Sequence, residues 1–192
     1  MKRGEIIYDI IIPSLQRLYE KDYFNICNGV SERNICARLA HHMENVLREN
    51  DSYNDYFADV EYNRKNDGTT KYYENKLKVS SRMVSDLIVH KRNDEPNLLA
   101  VEMKRWDNYD KRKEDRVRLA SVVSSPKLEG RRLNCVYETE MGAFIIYSPE
   151  RLKVEIYGKG DDGIGYITCE LHYVYDISER LLRQYQSVNM GL

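Results

Sequence analysis

Met83–Trp106, MVSDLIVHKRNDEPNLLAVEMKRW, decides how this chain folds. Val84–His90 is apolar and β-branched with one acid, Asp86. Leu98–Lys104 is apolar again and carries Glu102 and, two residues on, Lys104. Lys91–Pro96 between them is charged, holds Asn93 and Asp94 and closes on Pro96, which is hairpin-loop chemistry. A loop of Asn93–Pro96 puts Arg92 opposite Asn97 and Asp86 beside Glu102 or Met103. Side chains alternate faces along a strand, so Glu102 and Lys104 share a face about 7 Å apart. If Asp86 pairs with Glu102 on that face, their Cβ atoms lie about 5 Å apart. Like charges so close among apolar residues are costly unless a cation sits between them. Carboxylate oxygens suit Mg²⁺ or Mn²⁺ in that place.

Downstream, Asp107–Val123 reads as a helix whose apolar stripe (Val117, Leu119, Ala120, Val123) occupies only its second half. From Glu102 to Arg132 there are 10 Lys and Arg against 6 Asp and Glu, a balance of +4; with −1 for the whole chain, the remainder carries −5. Mixed charge runs are usually solvated faces. A phosphate-contacting edge would use the same residues, Arg105, Lys111, Arg112, Lys113 and Arg116.

Upstream, Ser31 is a good N-cap for a helix from Glu32 to about Glu49. Ile35, Leu39, Met43, Val46 and Leu47 share one face, Cys36 sits at its edge and His41 points away. Glu32 falls in the middle of the apolar face. An acid in a first turn satisfies the helix dipole, which explains its place along the helix but not its facing; an inward acid is also a third candidate metal ligand. Earlier still, Glu5–Lys21 has helical spacing with a kink or break at Pro13, followed by a loop, Asp22–Val30, with an Asn28-Gly29 turn. Asp55–Asn63 reads as a strand and Arg64–Lys78 as a loop turning at Asn66-Asp67-Gly68.

After the charged helix, Ser124–Thr139 reads as irregular. Met141–Tyr147 is apolar on both faces, hence a central strand. Arg151–Tyr157 and Tyr166–Tyr175 are strands joined by a glycine-rich hairpin loop, Gly158–Gly165. A final helix, capped by Asp176 or Ser178, is expected to run to about Val188 with Ile177, Leu181, Leu182, Tyr185 and Val188 inward. The class is α/β (α+β), a mixed sheet flanked by helices. The 192 residues fit one domain: a helical extension over 1–30, a core over 31–157 and a strand and helix over 158–192.

The totals narrow the function. Hydrophobic residues make up 42%, enough for a core, and 32% are charged, as in a soluble protein. A net charge of −1 gives no global field for nucleic acid, so any attraction must be local. Cys27, Cys36, Cys135 and Cys169 are scattered, which argues against a zinc site or disulfide framework and fits a cytoplasmic, reducing setting. The apolar run near the N-terminus is short and broken by Asp9, so neither a signal peptide nor a membrane span is expected. His41 and His42 are neighbours in one helix, His90 and His172 lie on other elements, and no Ser-His-Asp or Cys-His arrangement stands out.

Asp86, followed by Glu102-Met103-Lys104, resembles the motif of the PD-(D/E)XK nuclease superfamily, whose fold is restriction-endonuclease-like. The helix SERNICARLAHHMENVL with Glu32, the strand FADVEYNRK, the hairpin and the strand MGAFIIY extend the resemblance over Ser31–Tyr157. Ser85 departs from it, standing where the pattern has Pro. The resemblance implies a metal-dependent phosphodiester hydrolase, a DNA endonuclease above all. Asp86, Glu102 and the Met103 carbonyl would hold Mg²⁺ or Mn²⁺, Glu32 would complete the shell or hold a second ion, and Lys104 would orient the attacking water. Glu61 is a further candidate without an assigned place. Partners would be nucleic acid, DNA before RNA, and a second copy or a partner protein. Two alternatives stand beside this: a non-catalytic module on the same fold that binds nucleic acid or protein, and an unrelated α/β enzyme using Asp86 and Glu102 as general acid and base. Without a metal, Lys104 is simply a cross-strand ion-pair partner.

Overall fold

The computed structural model describes residues 3–61, 72–74, 80–82, 85–92, 97–124, 127–128, 131–132 and 139–190. Met83, Val84, the Asn93–Pro96 loop and the Asn66-Asp67-Gly68 turn lie outside them. The chain opens with α1 (Arg3–Glu5), runs through a π-helical stretch, Ile6–Ile11, and continues as α2 (Ile12–Cys27). Pro13 splits nothing. It has no N–H to donate, and the wide turn before it, in which the Ile12 N–H reaches the Ile7 carbonyl, leaves it at the start of a new helical run where that N–H is not needed. The expected loop from Asp22 is therefore mostly helix. Asp22 is a kink within α2 (φ −116°, ψ 15°), and its buried carboxylate accepts from Arg38 (2.8 Å) and meets His42 Nε2 (2.6 Å). The chain turns at Asn28-Gly29, where Gly29 has φ +64°.

Ser31 caps α3 (Glu32–Arg48) by accepting from the Asn34 N–H at 3.3 Å. Then come β1 (Tyr56–Val60), a short ribbon of β2 (Tyr72–Glu74) with β3 (Ser80–Arg82), β4 (Leu87–Lys91) and β5 (Asn97–Arg105). α4 (Arg112–Val123) follows, then a second small ribbon of β6 (Lys127–Leu128) with β7 (Arg131–Arg132), and four long strands: β8 (Thr139–Tyr147), β9 (Arg151–Lys159), β10 (Gly165–Asp176) and β11 (Leu181–Asn189). The main sheet has seven strands in the order β1-β4-β5-β8-β9-β10-β11. It is mixed: β5 and β8 run parallel, with α4 lying along the crossover between them, and the other pairs are antiparallel.

Period-two alternation sorts the strands into two cores. Leu87, Val89, Leu99, Val101, Met103, Ala143, Ile145, Val154 and Ile156 pack beneath α2, α3 and the π stretch. Ala100, Phe144, Ile146 and Tyr157 pack against Leu119, Val122 and Val123 of α4. Two glycines let α4 lie close to the sheet: a Cβ at Gly142 would press on Leu119 and Val123, and one at Gly165 would collide with the Ala120 carbonyl oxygen. The α4 stripe keeps Leu119 and Val123 of the expected set, with Ala120 half-buried against it, and departs from it in the rest. Val117 is exposed, and the inward set is Asp115, Leu119, Val122 and Val123.

The expected C-terminal helix is a strand. Asp176 caps a turn instead, accepting from the Ser178 hydroxyl (2.7 Å) and the Ser178 and Glu179 N–H groups. Arg180 takes a left-handed backbone (φ +55°) and sends the chain back along β10 as β11. The side-chain bond that starts a helix is the one that closes this hairpin, and only Leu182 of the supposed inward set is buried.

Candidate functional site

The hairpin pairs Leu87 with Val101, Ile88 with Ala100 and Val89 with Leu99. This is one residue away from the register of a four-residue loop. Continued one step, it puts Asp86 opposite Glu102. The Asp86 carboxylate accepts from the Met103 N–H at 2.8 Å, while its carbonyl takes the Glu61 N–H at 3.0 Å and the Cys36 thiol at 3.3 Å. Glu102 and Lys104, two apart on β5, both face α4. Lys104 Nζ lies 3.4 Å from Glu32 Oε2 and 3.6 Å from Asp115 Oδ2. Glu32, in the first turn of α3, does face inward: its other oxygen accepts from the Arg105 N–H (3.0 Å) and Asn108 Nδ2 (2.8 Å). Glu32, Asp86, Glu102 and Lys104 thus meet where β5 and β8 reach their carboxyl ends. A cleft of about 200 Å³, lined by Glu32, Arg33, Cys36, Val60, Glu61 and Asp86, opens onto two of the four. Glu61 stands on its rim with φ +51°, its carboxylate held by Arg33 at 2.6 Å.

Two members of this cluster escape the sequence reading, Asp115 and Arg118 of α4. Asp115 is 2% exposed, and its Oδ2 has no hydrogen-bond partner. Arg118 bridges two acids: its Nε donates to Glu102 Oε1 at 2.7 Å, one terminal nitrogen reaches Glu102 Oε2 at 3.4 Å, and the same nitrogen pairs with Asp115 Oδ1. The signal for Asp115 is the one that singles out Glu32. It sits four, seven and eight residues before Leu119, Val122 and Val123, in the middle of an apolar stripe.

Charge does not balance here. Among the described residues four acids, Glu32, Asp86, Glu102 and Asp115, face two bases, Lys104 and Arg118. Burial, then Asp86 and Asp115, push the Glu102 carboxyl well above the usual range despite Arg118. Burial raises Asp115 as well, reinforced by Asp86 and opposed by Lys104 and Arg118. For Lys104 burial works downward, but Asp115, Glu32 and Asp86 outweigh it and hold the ammonium above its ordinary value. Among the described residues, no three His, Cys, Asp or Glu side chains are poised to grip a metal ion as they stand. The geometry gives the reason: Arg118 holds Glu102 and Asp115, a backbone N–H holds Asp86, and Arg105 and Asn108 hold Glu32.

The basic residues divide. Arg112 donates to the carbonyls of Arg105, Trp106 and Asn108, so it fixes the β5–α4 connection. Arg116 grips buried Glu155 through two nitrogens at 2.7 and 2.8 Å. Arg105 pairs with Asp107 at 3.2 Å. Lys111 and Lys113 are exposed.

No helix among the described residues is long and apolar enough to cross a membrane. Neither a scan against protein-family models nor a search of curated proteins finds a match for this chain.

Proposed function

We propose that this protein is a Mg²⁺- or Mn²⁺-dependent phosphodiester hydrolase, a DNA endonuclease with a restriction-endonuclease-like core. One observation carries the reading: Glu32, Asp86, Glu102 and Lys104, from three separate elements, meet at one end of the sheet, where, with Asp115 and Arg118, four acids face two bases among the described residues. The elements on which the resemblance rests support it, since β1, β4, β5 and β8 are four adjacent strands in that order, with α3 packed on one face. The donors fit a hard divalent ion in kind and charge, being carboxylates, with the Met103 carbonyl as the further oxygen the resemblance implies. Bound there, such an ion supplies an acidified water and neutralises charge on the scissile phosphate. Lys104, held between Glu32 and Asp115, donates to the attacking water and to the developing charge. Asp86 is fixed in direction by the Met103 N–H, and Glu32 fixes Lys104.

The test is cleavage of supercoiled plasmid and of single-stranded oligonucleotides in Mg²⁺ or Mn²⁺ by the wild type, Lys104→Ala and Asp86→Ala. We expect each substitution to lower the rate at least about 100-fold. Equal rates in the three proteins overturn the assignment. A second reading, a non-catalytic module on the same fold that binds nucleic acid or a partner protein, draws on the Arg118 grip on Glu102. Binding of DNA with no cleavage in any metal would favour it.

A further inference from the structure

Arg118 occupies the place between Glu102 and Asp115 where positive charge is needed. Its guanidinium meets both Glu102 oxygens and one oxygen of Asp115. The other Asp115 oxygen is buried, has no hydrogen bond of normal length among the described residues and is met only by a long ion pair from Lys104 at 3.6 Å. A carboxylate oxygen in that state is costly unless something completes its shell. Lys104 alone does not, because it also serves Glu32. Asp115 and Arg118, three apart on one helix, thus form with Glu102 a buried acid–base–acid bridge at the place where the carboxylates converge.

We propose that Asp115 is a further ligand for a divalent cation in this cluster and that Arg118 is an exchangeable counter-ion, displaced from Glu102 and Asp115 when the cation binds. This rests on the metal-dependent reading above and assigns to it two residues outside the Asp86, Glu102, Lys104 set. A single positive charge gives up its contacts with Glu102 and Asp115 and a doubly charged ion takes its place among the carboxylates. An entirely structural Asp115–Arg118–Glu102 bridge would instead stabilise the fold without competing with any ion.

Competition separates the two. Mn²⁺ binding is measured by calorimetry and by electron paramagnetic resonance on the wild type, Asp115→Asn and Arg118→Met. Asp115→Asn should bind at least about tenfold more weakly, and Arg118→Met, which lacks the competitor, at least about tenfold more tightly. A measurement on the unmutated protein covers the case in which Arg118→Met fails to fold. The Arg118 Nε–H resonance is followed through a Mg²⁺ titration, and saturation should abolish its protection from solvent exchange. Unchanged Mn²⁺ affinity in both variants, or an Arg118 resonance undisturbed at saturating Mg²⁺, overturns the proposal. If Lys104→Ala loses cleavage while these affinities stay constant, the nuclease reading stands and this one falls. If the affinities move as stated and nothing is cleaved, the reverse holds.

Discussion

Glu102 and Glu155 are glutamates on the same face of the same sheet, each 1% exposed, yet their surroundings push them in opposite directions. Burial opposes ionisation in both. Around Glu155, Arg116 and Lys153 (3.0 Å) outweigh it and hold the carboxyl below its usual value. Around Glu102 Arg118 helps, but Asp86 and Asp115 add to the burial and the balance is upward. The linkage signs follow. A carboxyl lowered in the fold stabilises it above the unfolded pKa and loses that contribution as pH falls through the folded one; a raised carboxyl stabilises below the unfolded value, about pH 4.3, and loses it as pH rises. Without metal, Glu102→Gln should therefore raise Tm by about 2–4 °C at pH 8 and give no gain near pH 4.5. Thermal melts in chelator at both values check this, and an equal change at both would sink it. Arg116→Met should cost about 2 kcal/mol in denaturant melts, less than a fully orphaned buried charge because Lys153 remains, and should leave DNA affinity alone. That separates Arg116 from the phosphate-contacting role its place in a basic run suggests. Asp115 was within reach of the sequence: its spacing to Leu119 and Val122 is as plain as that of Glu32 to its own stripe. It is obscured by lying in a run of charges, where an acid reads as solvated.

At the scale of elements, the hairpin was legible because two alternating runs and a turn agree locally, and the Ser31 cap because it needs only its own helix. The one-residue register difference was not, since the loop that sets it gives no cue in composition. β11 failed for a different reason. Ile177, Leu181, Tyr185 and Val188 are spaced for a helix, but β10 offers a free edge, and pairing with it overrides the periodicity. α4 shows the same tertiary control in its charges, because its arginines turn inward to acids and carbonyls and leave Lys111 and Lys113 outside. If α4 tracks a phosphate backbone, these two lysines are its contacts. Replacing either by Ala should reduce the slope of log affinity against log salt by about 1 and weaken binding evenly across sequences. A slope unchanged in both variants removes α4 from the nucleic-acid surface.

Across the whole molecule the sheet divides into two halves of different connectivity. β8 to β11 form a run of hairpins between sequence neighbours, whereas the β5–β8 join is parallel and bridged by a crossover that carries α4. Three acids of the candidate site, Glu32, Asp86 and Glu102, precede that join and the fourth, Asp115, lies in the crossover, so the cluster is complete only when the crossover helix docks on the sheet. Folding kinetics should register this. Local hairpins need little loop-closure entropy, while the parallel join needs more. We expect the crossover helix, and with it Asp115, to dock only after the rate-limiting barrier. Glu102→Gln should slow unfolding and leave the folding rate almost unchanged, which the two limbs of a chevron plot resolve. The site's electrostatic strain would thus set how long the native state persists rather than how quickly it is reached.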